Sequence, residues 1–105
     1  MFLDRMIGLG QRAGKLISGE IAVKSALTRG SVKLLVIAAD AAPNTQRELT
    51  RISSLKNVPT ISYGSKELMG RLTGKSPRSA VAFTDKHMAC GALGVIGRGD
   101  VKFKS

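Results

Sequence analysis

Between Lys33 and Asp40 the chain carries six consecutive apolar residues, Leu-Leu-Val-Ile-Ala-Ala. A run that short and uninterrupted suits a strand covered on both faces. Such a strand belongs in a sheet with helices packed on either side. The residues just before it supply one of those helices. Ala22, Val23, Ala26 and Leu27 recur at helical spacing, and Arg29-Gly30 ends the pattern on the residue that best tolerates a left-handed cap. Residues 15–40 therefore read as a helix–strand unit. Its helix starts at Ser18-Gly19-Glu20, which offers capping and anion-binding groups.

The rest of the chain repeats the alternation. Residues 2–13 place Phe2, Leu3, Met6, Ile7 and Leu9 at spacings of three and four, an amphipathic helix ended by Gly14. Leu16-Ile17 suits a brief strand. Residues 41–45 turn into a helix reaching about Lys56, with Thr45 and Glu48 as a capping box and Leu49, Ile52 and Leu55 inward. Asn57 serves as its C-cap, ahead of Pro59. Residues 60–63 suit a strand, and Ser65 caps a helix that ends at Gly74. A basic loop, Lys75-Ser76-Pro77-Arg78, leads from Ser79 into an apolar strand, after which Asp85 caps a last helix over 86–96. The order implies one α/β domain over 1–97, with a parallel or mixed sheet and helices on both faces. Residues 98–105, with Lys102 and Lys104, are expected to be a flexible basic tail.

Charge narrows the partner. Seventeen Lys and Arg against seven Asp and Glu give a net charge of +10 on 105 residues. That density suits a polyanion, RNA or DNA first, against the alternatives of a merely soluble basic protein or one that sits on anionic lipid. With only Phe2, Tyr63, Phe83 and Phe103 as aromatics, stacking on an aromatic platform is not the expected mode. The single cysteine, Cys90, excludes an internal disulfide and is expected to be a small buried apolar residue. The single histidine, His87, lacks a neighbouring ligand, so neither a metal nor another cofactor is expected, and it reads as a surface residue. Met1-Phe2-Leu3-Asp4-Arg5 is not expected to begin a signal peptide, because Asp4 and Arg5 precede any apolar core and no cleavage-site pattern follows. No apolar run reaches the roughly 20 residues of a membrane span, so a cytoplasmic location without membrane contact is expected.

Several glycine patterns look like motifs and fail on spacing. Gly70-Arg71-Leu72-Thr73-Gly74-Lys75-Ser76 has three residues between its glycines, one fewer than a phosphate-binding P-loop, and it ends a helix rather than opening one. A cap plus a basic loop is the better reading. Gly8, Gly10 and Gly14 do not make the dinucleotide fingerprint. Gly91 and Gly94 fit a short core-facing helix. Asp40, at the end of the apolar run, suits either a site or a bond to the backbone of the turn before Pro43. No Ser-His-Asp set or carboxylate pair emerges, so no enzyme is expected.

What remains is a set of binding groups. Ser18, Gly19 and Glu20 surround free helix-start N–H groups, with Lys24 one turn on. Lys75, Ser76, Pro77, Arg78 and Ser79 add charge, hydroxyls and backbone groups. If both segments share one end of the sheet, they form a basic saddle. Lys15, Lys24, Lys75 and Arg78 would hold phosphates there, and Gly19, Glu20 and the loop backbone would position or read bases. An alternative is a protein-interaction module of the translation machinery without direct RNA contact.

The ordered residues also carry a resemblance. Ser18-Gly19-Glu20, Arg29-Gly30, Lys33-Leu34-Leu35-Val36-Ile37-Ala38 with Asp40-Ala41, Asn44-Thr45, Asn57-Val58-Pro59, Gly64-Ser65-Lys66 with Leu68, Gly70 with Gly74, and Ala80-Val81-Ala82 with Thr84-Asp85 resemble the ribosomal L-seven-Ae type family of kink-turn RNA binders. Gly8-Leu9, Arg12-Ala13-Gly14-Lys15 and Asn44-Thr45 point to its bacterial YlxQ-like branch. The resemblance implies a three-layer α/β/α sandwich with a four-stranded mixed sheet. It implies a non-catalytic ribosomal or translation-associated role, with ribosomal or structured messenger RNA, the ribosome or other translation proteins as partners. It implies contact through the second helix start and the loop before the last strand. Kink-turn binders carry Gly-Thr-Asn-Glu-x-x-Lys at that helix. Here Gly19 is followed by Glu20, Ile21 and Ala22, Ser25 stands where the Lys belongs, and Lys24 falls one residue early, about 100° around the helix.

Overall fold

The computed structural model describes residues 2–96 and 102–104. In order these form α1 (Phe2–Arg12), β1 (Leu16–Ser18), α2 (Glu20–Arg29), β2 (Leu34–Ile37), α3 (Pro43–Leu55), β3 (Thr60–Ser62), α4 (Lys66–Thr73), β4 (Ala80–Phe83), α5 (Lys86–Ile96) and β5 (Lys102–Lys104). The sheet order is β1-β4-β2-β3-β5. β2 and β3 are parallel, while β4 runs antiparallel to both β1 and β2. α1 packs against α4 and α5, and α2 packs against α3, which gives a layer of helices on each side of a mixed sheet.

Four strands make the expected mixed sheet. The fifth, β5, lies in the stretch read as a tail and pairs antiparallel with β3, Phe103 opposite Ile61. The remainder of 98–105 lies outside the described residues.

The apolar run behaves as its composition dictates. Every residue of β2 is buried, and so is every residue of β4 beside it. Phe83, Leu34, Leu35, Ile37, Leu27 and Ile7 are fully enclosed. At about 1.5–3 kcal/mol for each large side chain buried, these two strands anchor the core.

Three expectations about helix faces change. In α1 the inner stripe is Leu3, Met6, Ile7 and Gly10, whereas Phe2 and Leu9 are about half exposed. In α3 the stripe is Thr45, Leu49 and Ser53, and Leu55 is 69% exposed. Steps of three residues drift off a 3.6-residue period, so the 49–52–55 series rotates into solvent while the 45–49–53 series stays inside. A polar pair is stable on that face because it is satisfied. Thr60 Oγ1 donates to Ser53 Oγ at 2.8 Å, and Ser53 Oγ donates to the Thr50 carbonyl at 3.0 Å. On α5 Cys90 is exposed, not buried, because Ala89 and Ala92 take the inner positions. His87 is exposed.

Caps also differ in part. The N-cap of α3 is Ala42, and Pro43 opens the helix. Thr45 therefore lies inside the first turn, where its hydroxyl is aimed at another helix instead of its own backbone. Lys56 is the C-cap, and Asn57 follows it in the left-handed region at φ 56°. Ser65 accepts from Leu68 N–H, Asp85 Oδ2 accepts from Met88 N–H, and Gly74 closes α4 at φ 70°.

Candidate functional site

Strand direction brings the two binding segments together. Because β4 is antiparallel to β1 and β2, Ser18 at the end of β1 faces Val81, and Ile37 at the end of β2 faces Ala80. α2 leaves β1 at the same rim where loop 75–79 enters β4. The contact is direct, since Gly19 N–H donates to the Ala80 carbonyl at 3.0 Å. The adjacency on which the basic saddle depended is a consequence of this sheet order.

Gly19 makes the corner. It is the N-cap of α2 at φ 96° and ψ 147°, a region essentially reserved for glycine, and no side chain caps the helix. The first-turn N–H groups at Glu20, Ile21 and Ala22 thus keep their positive ends toward the rim. Arg78 folds over this corner. A methyl group placed on Gly19 would meet Arg78 Cδ at 3.5 Å and Nε at 3.7 Å. Arg78 Nη1 donates to Ser76 Oγ at 2.8 Å, while its Nε is buried without a hydrogen-bond partner.

The loop is held from three sides. Lys75 N–H donates to the Gly70 carbonyl at 2.8 Å, Arg78 N–H donates to the Lys66 carbonyl at 3.0 Å, and Ala38 N–H donates to the Ser79 carbonyl at 2.8 Å. It therefore runs back along α4. Lys75, Ser76 and Pro77 are exposed, and Arg78 and Ser79 are half-buried. Gly70 permits this path, because a Cβ there would stand 2.6 Å from the Ser76 carbonyl oxygen and 2.8 Å from that of Lys75. The Gly70–Gly74 pattern is thus a close approach and a helix cap. Sequence reasoning left Gly70 out of the site, although its spacing from the basic loop was the signal.

Glu20 and Lys24 are occupied with each other. Lys24 Nζ lies 3.7 Å from Glu20 Oε2, and Thr45 Oγ1 donates to Glu20 Oε1 at 3.1 Å. Glu20 therefore ties α2 to α3 instead of reaching outward. A half-exposed pair of this kind is worth no more than about 1 kcal/mol, so an incoming phosphate competes for Lys24 at little cost. Ile21, by contrast, is 86% exposed. Ser18 is half-buried in β1.

Lys15 does not join the cluster. Its carbonyl accepts from Thr84 N–H at 3.0 Å, which puts it at the far end of β4, about 10 Å of strand away from the rim. Asp40 Oδ1 accepts from Lys66 N–H at 2.8 Å and caps α4 from outside, instead of bonding the turn before Pro43. Among the described residues no three His, Cys, Asp or Glu side chains gather as a metal site would need. Nor, among them, is any helix long and apolar enough to cross a membrane.

Comparison with known proteins adds a second line. A model of the ribosomal protein L7Ae/L30e/S12e/Gadd45 family matches residues 3–92. The chain is 34% identical over 84 residues to the RNA-binding protein YlxQ of Bacillus subtilis (strain 168), covering 80% of this chain and 84% of that one. It is 33% identical over 84 residues to the RNA-binding protein YlxQ of Enterococcus faecium, covering 80% and 81%. A solved structure of a protein with unknown function from Bacillus halodurans C matches with a TM-score of 0.82 at 27% identity, over 88% of this chain and 93% of that one. The Giardia lamblia 15.5kD RNA binding protein matches with a TM-score of 0.80 at 24% identity, over 91% and 85%, a likeness of fold.

Proposed function

We propose, from the premise that the chain belongs to the ribosomal protein L7Ae/L30e/S12e/Gadd45 family, that it is an RNA-binding protein acting by binding alone. Its relatives named as RNA-binding proteins support the ligand class. The observation that carries the reading is Arg78. Its Nε–H is enclosed over Gly19 without an acceptor, beside a helix start whose first-turn N–H groups no side chain caps. An enclosed donor left unpaired costs about 1–3 kcal/mol, and turning the half-buried Arg78 guanidinium out to a phosphate or base oxygen at the rim would remove that cost.

The RNA is structured, of ribosomal or messenger origin, and the role is translation-associated and cytoplasmic. Lys75, Arg78 and Lys24 hold phosphates, while Gly19 and the 76–79 backbone position or read bases. The kink-turn residues implied by the resemblance are replaced by exposed Ile21, Ala22 and Ser25. Contact is therefore made through charge and backbone groups, and a kink-turn is one of the structured RNAs to present. An electrophoretic shift series with a kink-turn and with bulk ribosomal RNA tests this. Binding is expected at about 50 mM salt, falling steeply as salt rises. Absence of binding to both would sink the proposal. The Lys75→Ala, Arg78→Ala double variant is expected to weaken binding on the order of tenfold, and unchanged binding would sink the site assignment alone.

One observation favours a second reading. Ile21 is a large apolar side chain on the open rim, which suits a protein contact in the translation machinery. Partners that survive nuclease treatment in a pull-down with the wild-type chain, and are lost with Ile21→Ser, would favour it.

A further inference from the structure

We infer that the groove between α1 and α4 is a second RNA-binding surface, which takes a further stretch of the sugar–phosphate backbone from the RNA held at the Gly19–Arg78 rim. The inference rests on the RNA reading above and adds a site to it. The groove has a volume of about 490 Å³ and is lined by Asp4, Arg5, Gly8, Leu9, Arg12, Arg71 and Leu72. Three of these are arginines, all exposed. Among the described residues none of the three pairs with a carboxylate, where the ion pairs are Lys24–Glu20 and Arg51–Glu48. The one acid in the lining, Asp4, is taken up by the Tyr63 hydroxyl, which donates to its Oδ1.

Helix geometry explains the row. Arg5 and Arg12 are seven residues apart on α1, two turns and about 10 Å along one face. Gly8 lies between them and keeps the floor low. A Cβ at Gly8 would meet Arg12 Nη1 at 3.6 Å and the Leu72 carbonyl oxygen at 4.0 Å, so Arg12 lies along the helix over Gly8 and beside α4. Leu9 is 47% exposed and presents an apolar surface among the charges. Forked guanidinium groups around an apolar step match a chain of phosphates joined by sugars.

Continuity with the first site favours RNA over an acidic protein segment. Arg71 stands in the last turn of α4, and Lys75 N–H is bonded to Gly70 one residue before it. The loop that carries Arg78 therefore departs from the end of the groove. A strand leaving the rim past Lys75 meets Arg71 next, then Arg12 and Arg5.

The test compares charge removal in two places. One variant is Arg5→Gln, Arg12→Gln, Arg71→Gln. The other is Arg29→Gln, Lys33→Gln, Lys56→Gln, three exposed cations at the far ends of α2 and α3. Affinity for bulk ribosomal RNA is measured by fluorescence anisotropy across a salt series, with a polyglutamate competitor in a parallel arm. Each phosphate contact contributes about 0.7–0.9 to the slope of log K against log salt. The groove variant is expected to lose about 2 from that slope and on the order of tenfold in affinity, and the far variant much less. Equal losses in both variants would overturn the inference, because net charge would then explain them. So would an unchanged groove variant, or a groove variant that loses polyglutamate but keeps RNA, the latter making the occupant an acidic protein segment. Failure of the wild-type chain to bind RNA would instead remove the reading on which the inference rests.

Discussion

Two glycines and a threonine show how single positions decide the site. Alanine normally favours a helix over glycine by about 1 kcal/mol, so Gly8→Ala and Gly70→Ala start with the same gain. Their surroundings separate them. The new methyl at Gly8 makes an ordinary contact with the flexible end of Arg12, whereas at Gly70 it lands on the Ser76 and Lys75 carbonyls. Backbone does not give as a side chain end does, and overpacking of this kind costs about 1–3 kcal/mol. Gly8→Ala is expected to raise the urea midpoint, and Gly70→Ala to lower it and weaken RNA binding by displacing loop 75–79. A Gly70→Ala chain with wild-type midpoint and affinity would refute the close approach. Thr45 acts between helices, so Thr45→Val, which removes its donor to Glu20 at nearly constant shape, is expected to cost about 0.5–1.5 kcal/mol by thermal melting. Thr45→Ser keeps the donor and is expected to restore most of that loss.

At the level of elements, the alternation of helices and strands was legible because each has its own apolar period. Strand order was not. Leu34–Ile37 and Ala80–Phe83 look alike as buried runs, and nothing local in them says that they pair antiparallel. β5 was missed because three residues flanked by glycine and charge give too short an alternation to weigh. In α3, Leu55 misled because its type was apolar while its phase was wrong. The same helix carries a titratable link. Arg51 Nη2 bonds Glu48 Oε1 at 3.0 Å, and this bond with the Arg51 charge holds the Glu48 carboxyl below its ordinary value. A lowered carboxylate adds its stability above the unfolded-state value and loses it as pH falls through the folded one. On so exposed a pair the effect is small, and it is read best by titrating Glu48 in NMR spectra from pH 6 downward. Its midpoint is expected below 4.5, and Arg51→Ala is expected to move it up toward 4.5. No movement would mean that Arg51 does not hold the carboxyl.

Across the whole molecule, the sequence carried the pieces of the candidate site but not their assembly. Gly19 and Arg78 are 59 positions apart and meet only because β1 and β4 are neighbours. Lys15 sits close to Gly19 in sequence and yet belongs to the opposite end of the sheet, since a three-residue strand lies between them. Charge and family resemblance pointed to a basic surface, and topology decides which of its cations share the rim. The same topology sets an order in time. β1 and β2 never touch, and the strand that joins them is β4, whose residues emerge from synthesis after about three-quarters of the chain. A nascent chain that has reached Gly74 holds β1, β2 and β3, the α2 corner and Arg5, Arg12 and Arg71, but not the strand that joins β1 to β2. The strand that joins β1 to β2 follows directly on the loop that forms the rim. A chain halted before β4 therefore lacks both the link between β1 and β2 and the Gly19–Arg78 rim proposed above as the RNA site.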